Sequence, residues 1–339
     1  MGTRKVALVV GASRGIGRQV AIDLAKNSYA VVVAAKSTAD NASSNATASS
    51  ASAAVSSSSS SLAACFPPDP NSPDSTITTV AREIEEAGGE ATAVPVDVRD
   101  PASIQALVSR TVATYGRLDA LVYNAGAVWW ASVNVEGLYA TVEAALPHLK
   151  KAGAGRIVVV SPPIYSRFFR GKTAYAMASE SDYFFPPFLT RDSVIIQGKV
   201  GMSVLTKGLA MDFERQGLAH MSITSIWPAV AIESAATQKL QKTDPSTARD
   251  LRKPTIFSAA VLAVLRDTTP AASVNGLLAL DEDFLRSNLG GGVTDFSRYA
   301  LVPGASPRRI MPKRLPDLTV EEQDDEGTRI DSAAAKAKL

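Results

Sequence analysis

The chain has 339 residues, 46% of them hydrophobic, with 35 basic and 33 acidic side chains and a net charge of +2, which excludes the basic surface of a nucleic-acid binder or of a protein drawn to anionic membranes. One cysteine, Cys65, and two histidines, His148 and His220, exclude an internal disulfide and argue against a metal site. No apolar run reaches membrane-spanning length, and the first ten residues lack a secretory pattern.

Val6 to Val10 is an unbroken apolar run that reads as a buried strand. Gly11, Gly15 and Gly17 follow, enclosing Ser13, Arg14 and Ile16, and a helix with Val20 and Leu24 on one face starts at once. Strand, glycine turn and helix N-terminus form a cradle for a pyrophosphate: glycine lets the backbone approach, and the helix start offers free N–H groups. Val31 to Val33 is a second strand. After it an NAD-binding chain places a carboxylate for the ribose 2′-hydroxyl, whereas this one has Ala34-Ala35-Lys36. Lys36 and Arg14 together favour a 2′-phosphate, hence NADP(H). Residues 38–64 are almost wholly Ala, Ser, Thr and Asn and are expected to be a disordered loop.

Strands and helices then alternate. A helix over 76–87 stops at Gly88-Gly89, and a third strand over 92–96 leads to Asp97 and Val98. Asp100-Pro101 opens a helix striped by Ile104, Leu107, Val108 and Val112. A fourth strand over 118–123 ends at Asn124-Ala125-Gly126, and a helix runs over 134–149. Strands follow at 157–160, 222–226 and 276–280. The pattern predicts an α/β, doubly wound parallel sheet with helices on both faces and ligand-binding loops along one edge.

The first glycine turn, Asn124-Ala125-Gly126, and Ser161 with Tyr175 fourteen residues on resemble the short-chain dehydrogenase/reductase family. The resemblance implies a Rossmann-type sheet of about seven strands in one domain over 1–312. It implies cofactor contacts from Gly11, Ser13, Arg14, Gly15, Ile16, Gly17, Lys36, Asp97, Val98, Asn124, Ala125, Gly126, Tyr175, Lys199 and Pro228. It implies a catalytic set of Ser161, Tyr175, Lys199 and Asn134. In that chemistry a tyrosinate moves the substrate proton, a lysine one helical turn on lowers the phenol pKa, and the serine holds the carbonyl oxygen. Within the family, Ala34-Ala35-Lys36, Ser161-Pro162-Pro163, Trp227-Pro228-Ala229 and Leu280-Asp281-Glu282-Asp283-Phe284-Leu285 resemble the hydroxysteroid dehydrogenase-like protein 2 group in its fungal form.

Two departures stand out. Tyr175 has Ser179, not Lys, at i+4, and no tyrosine in the chain has Lys there. Residues 178–197 hold Phe184-Phe185-Pro186-Pro187-Phe188, which no continuous helix contains. Removing them brings Lys199 to i+4 of Tyr175, so the block reads as an insertion in the catalytic helix. Asn134 follows Asn124 by ten residues, where the family has roughly twice that. Expected partners are a small apolar carbonyl or alcohol substrate and a second copy of the chain. Residues 313–339 read as a flexible tail, and its end, Ala337-Lys338-Leu339, resembles a peroxisomal address read by the import receptor; the cytoplasm and the mitochondrion are the other placements. The competing expectation is an NADP(H)-binding protein whose catalysis the interrupted motif impairs.

Overall fold

The computed structural model describes residues 4–38, 69–72, 74–126, 132–165 and 197–318. In chain order the elements are β1 (Val6–Val10), α1 (Gly15–Lys26), β2 (Ala30–Ala35), α2 (Ile77–Glu86), β3 (Glu90–Pro95), α3 (Pro101–Tyr115), β4 (Ala120–Tyr123), α4 (Gly137–Lys151), β5 (Arg156–Val160), α5 (Gln197–Arg215), β6 (Ser222–Trp227), α6 (Ala235–Thr243), α7 (Thr255–Leu265), α8 (Ala271–Val274), β7 (Leu278–Leu280) and α9 (Asp281–Arg286). The strands form one sheet in the order β3-β2-β1-β4-β5-β6-β7, and every neighbouring pair is parallel. This is the expected doubly wound sheet. Strand order reverses between β1 and β4, so a crevice opens above their carboxyl ends.

Two cores follow from the period-two alternation of the strands. Ala7, Val9, Val31, Val33, Val122 and Val158 face α1, α2 and α7, meeting Leu24, Val80 and Phe257. Val6, Leu8, Val10, Val32, Leu121 and Val159 face α3, α4 and α5, meeting Leu107, Val142 and Phe213. Both sheet faces are covered, which is why the strands read as continuous apolar runs.

The glycine turn is dictated by close approach. Gly11 has φ +85°, and a Cβ there would sit 2.6 Å from the Ala125 nitrogen. A Cβ on Gly17 would meet the Gly11 carbonyl oxygen and lie 2.6 Å from Asn124 Nδ2. Only glycine lets α1 start this near β1 and β4.

Three differences from expectation have local causes. The helix expected over 134–149 begins with a π-helical turn, Ser132–Glu136, and becomes α-helical at Gly137. The seventh strand starts at Leu278, because Gly276 turns the chain at φ +69°. Helix α5 is already running at Gln197, so the last residue of the expected insertion belongs to it. The rest of that insertion, with Tyr175, and the Ser/Ala-rich stretch from residue 39 lie outside the described residues, as do 319–339. The chain is described as far as Leu318, and Leu315 packs by Ala229, Leu280 and Met311. Among the described residues no helix is long and apolar enough to cross a membrane.

Residues 69–72 and 74–76 lie beside the glycine turn. The Pro70 carbonyl accepts the Gly15 N–H at 2.9 Å, and Ser75 Oγ donates to the Ser13 carbonyl at 2.7 Å. The Ile77 N–H donates to the Ser37 carbonyl at 3.1 Å.

Candidate active site

Each loop after a strand delivers part of one cleft. Gly11, Ser13 and Arg14 follow β1, Lys36 follows β2, Asp97, Val98 and Arg99 follow β3, and Asn124, Ala125 and Gly126 follow β4; they line a hollow of about 500 Å³. A second hollow of about 510 Å³ lies among Lys5, Tyr29 and Arg266, at the amino ends of β1 and β2. It is on the wrong edge of the sheet for a crevice ligand.

The floor of the cleft is rigid. Asn124 Nδ2 donates to the Gly11 carbonyl at 2.8 Å, while the Asn124 and Ala125 N–H groups both reach the Val10 carbonyl at 2.9 Å. Ile16, the second residue of α1, packs against the core. The outer rim is charged. Arg99 grips Asp97 with two side-chain bonds, Nε at 2.9 Å and Nη2 at 2.5 Å, and Lys36 Nζ reaches the same carboxylate at 3.1 Å. The Arg99 hydrogen bonds hold the Asp97 carboxyl well below the usual carboxylate range. Arg14, at the start of α1, is half-buried beside them. The rim thus carries three cations and one anion. Sequence reasoning found Arg14, Lys36 and Asp97 but missed Arg99, two residues past Asp97 in the same loop.

At the inner end, Ser161 sits one residue past β5 and is buried. Lys199, in the first turn of α5, is 9% exposed and donates from Nζ to the carbonyls of Val160 at 3.0 Å and Ala125 at 3.2 Å. Burial pushes its ammonium down to about 8. Asn134, in the π-helical turn, is buried against the start of α5: a Cβ on Gly198 would strike its side chain, with Asn134 Cβ at 2.5 Å. A Cβ on Gly126 would lie 2.7 Å from Lys199 Nζ and 3.3 Å from Asn134 Oδ1. The structure therefore brings Ser161, Lys199 and Asn134 to one point despite the short interval between Asn124 and Asn134. A π-helical turn re-aims a side chain in this way.

Ser161 has two hydroxyl neighbours that sequence reasoning missed. Its Oγ is 2.8 Å from Ser203 Oγ on α5 and 2.8 Å from Ser225 Oγ on β6. Pro228 follows β6, half-buried, and the next N–H, from Ala229, is held by Asp281 Oδ1 at 2.8 Å. Ser234 caps α6, its Oγ accepting the Thr237 N–H at 3.3 Å. Tyr123 is no substitute acid or base. It is fully buried, its hydroxyl donates to the Val133 carbonyl at 2.5 Å, and burial pushes its phenol far above the ordinary range. Tyr175 and the aromatic residues expected to line a substrate pocket, Trp129, Trp130, Phe168 and Phe169, lie outside the described residues.

Comparison with known proteins bears on the fold and the family. The short chain dehydrogenase family profile matches residues 5–61 and 71–179. A crystal structure of a short chain dehydrogenase from Mycobacterium thermoresistibile shares 30% identity, covering 91% of this chain and 95% of its own, with a TM-score of 0.65. Hydroxysteroid dehydrogenase-like protein 2 of Danio rerio is 30% identical over 94% of this chain, and that of Rattus norvegicus 28% over 94%. The chain spans 64% and 51% of the lengths of those two relatives.

Proposed function

Because the chain belongs to the short-chain dehydrogenase/reductase family, we propose that it interconverts a carbonyl and a secondary alcohol by hydride transfer with NADP(H). The observation that carries this reading is the convergence of Ser161, Lys199 and Asn134 at the inner end of a glycine-lined cleft.

The cleft fits a nicotinamide dinucleotide. Gly11 and Gly17 leave bare backbone where any Cβ would collide, and the first turn of α1 presents N–H groups to a pyrophosphate. Arg14, Lys36 and Arg99 give the outer rim an excess of positive charge over Asp97, which favours the 2′-phosphate of NADP(H) over a bare ribose. Asn124, Ala125, Gly126 and Pro228 would border the inner half. When bound, the nicotinamide supplies or accepts the hydride. The chain does the rest. Ser161 donates its hydroxyl proton to the substrate oxygen as a hydrogen bond. Tyr175 gives or takes the transferred proton. Lys199, still mostly charged at neutral pH with its ammonium near 8, stabilises the phenolate, and Asn134 backs the start of α5. A substrate small and apolar enough to reach this buried end is expected.

A second reading, an NADP(H)-binding protein without turnover, is favoured by one observation: Lys199 follows Tyr175 by 24 residues rather than four, so a continuous helix does not set the two one turn apart. Two proteins separate the readings, the chain as written and a variant lacking residues 178–197. Titration with NADPH and NADH, then NADPH oxidation with a panel of apolar ketones, is the measurement. Turnover in either protein that vanishes in Lys199→Ala while NADPH still binds supports the oxidoreductase. Binding without turnover in both supports the second reading, and no binding in either sinks both.

A further inference from the structure

Ser203 is one helical turn beyond Lys199 and wholly buried. A serine hydroxyl has one proton to give and two lone pairs to receive, so the three buried hydroxyls here have three protons to place. Ser225 Oγ spends its proton on the Ser161 carbonyl, at 2.6 Å. Between Ser161 and Ser225, 2.8 Å apart, either oxygen has donor geometry; with the Ser225 proton on the carbonyl, Ser161 is the donor. Between Ser203 and Ser161, also 2.8 Å apart, only Ser203 has donor geometry. Ser203 has an alternative acceptor in the Pro162 carbonyl at 2.6 Å. Ser203 thus has one proton between the Pro162 carbonyl, its nearer acceptor, and the Ser161 hydroxyl oxygen, and Ser161 needs no lone pair of Ser203 for its own proton.

We propose that Ser203 is a positioning residue for the Ser161 hydroxyl. A substrate oxygen that takes the Ser161 proton in place of Ser225 polarises that O–H and makes the Ser161 oxygen a better acceptor. Ser203 turns its proton from the Pro162 carbonyl to that oxygen, pins it in place and strengthens it as a donor, because hydrogen bonds in a chain polarise one another. Ser203 itself touches neither substrate nor cofactor. Placing it on the same helix as Lys199 means that one rigid element sets both the ammonium and the serine donor. The proposal rests on the reading of Ser161 as the group that meets the substrate oxygen.

The test uses the full chain and the variants Ser203→Ala and Ser203→Cys; cysteine fills the site but is a poor donor. Crystal structures of both variants should show the Ser161 side chain leaving its single rotamer, with the backbone of β5 unmoved. With acetophenone as the probe ketone and NADPH as cofactor, both should lose about tenfold in kcat, with KM and the NADPH Kd within about twofold, the size of one lost hydrogen bond. In a Ser161→Ala background, Ser203→Ala should cost nothing more, since its effect runs through Ser161. A packing role would instead spare the cysteine variant and lower kcat in both backgrounds. Ser161 held in its original rotamer in both variants overturns the proposal. Absence of turnover in the parent chain would sink the oxidoreductase reading alone, because the Ser161 rotamer would still decide the role of Ser203.

Discussion

Asp97 takes hydrogen bonds from Arg99 and Lys36, so its charge is spent before any ligand arrives. A 2′-phosphate competes with that carboxylate for both cations, and a 2′-hydroxyl does not. Arg99→Ala should therefore weaken NADPH about fivefold, discounted for exposure, and leave NADH within about twofold, by fluorescence titration. Equal weakening of both would show that Arg99 only shapes the loop. Asp281 shows a different residue-scale effect. It is 1% exposed, its Oδ1 accepts the N–H groups of Ala229 at 2.8 Å and Glu282 at 2.7 Å, and Oδ2 is buried without a partner among the described residues. Burial pushes this carboxyl up to about 7, against about 3.9 in an unfolded chain. The folded state thus holds a proton that the unfolded state gives up. That stabilisation is complete below about pH 4 and is lost as pH rises through about 7. Melting temperature should fall from pH 5 to pH 8, and Asp281→Asn, which keeps the Oδ1 acceptor, should flatten the slope; parallel slopes would assign the pH dependence elsewhere.

Among elements, the junction of β1 and α1 tolerates least. Gly17→Ala places a methyl against the Gly11 carbonyl and Asn124 Nδ2, an overpacking of about 1–3 kcal/mol. The expected result is a melting temperature lower by several degrees together with weakened NADPH binding, read by calorimetry and titration; an unchanged melt would mean that α1 shifts freely. This junction was legible in the sequence, because glycine spacing, the apolar strand and the helix stripe all follow from the same geometry. The other strands were legible for a related reason: buried on both faces, they read as apolar runs. Helices α6 and α7 were not. The first is short and polar, with Leu240 exposed, and the second is apolar all round and shows no 3.6-residue stripe. At the site, Ser161 carried a family spacing to Tyr175 and Lys199 recovered one once residues 178–197 are set aside, while Asn134 stood at about half the family interval. Ser203, Ser225 and Arg99 carried none, since a lone serine in a buried helix or strand looks like any small residue until the fold sets it beside another hydroxyl. Nor does composition foretell a π-helical turn, so the fit of Asn134 across its short interval came only with the structure.

Over the whole molecule, the cofactor cleft joins parts distant in sequence: the β1 turn and the loops after β2, β3 and β4. A ligand held by all of them stabilises the folded state by mass action, about 2.7 kcal/mol at a concentration a hundred times its Kd. Saturating NADPH should raise the melting temperature by roughly 5–10 °C, given 2–4 °C per kcal/mol at this size, and NADH at the same concentration should raise it less. Identical shifts would remove the case for the 2′-phosphate. The bond from the Ile77 N–H to the Ser37 carbonyl has its own consequence. With β2 and β3 paired along Ala30–Ala35 and Glu90–Pro95, it stitches shut the base of everything between residues 38 and 76. Pro70 and Ser75 are tied to the glycine turn, but for the stretch 39–68 doubling the length of a loop with a closed base costs only about 0.6 kcal/mol. The gene is therefore free to lengthen, shorten or be split there, and two polypeptides divided within 39–68 should reassemble along the β2 edge as a complementing pair.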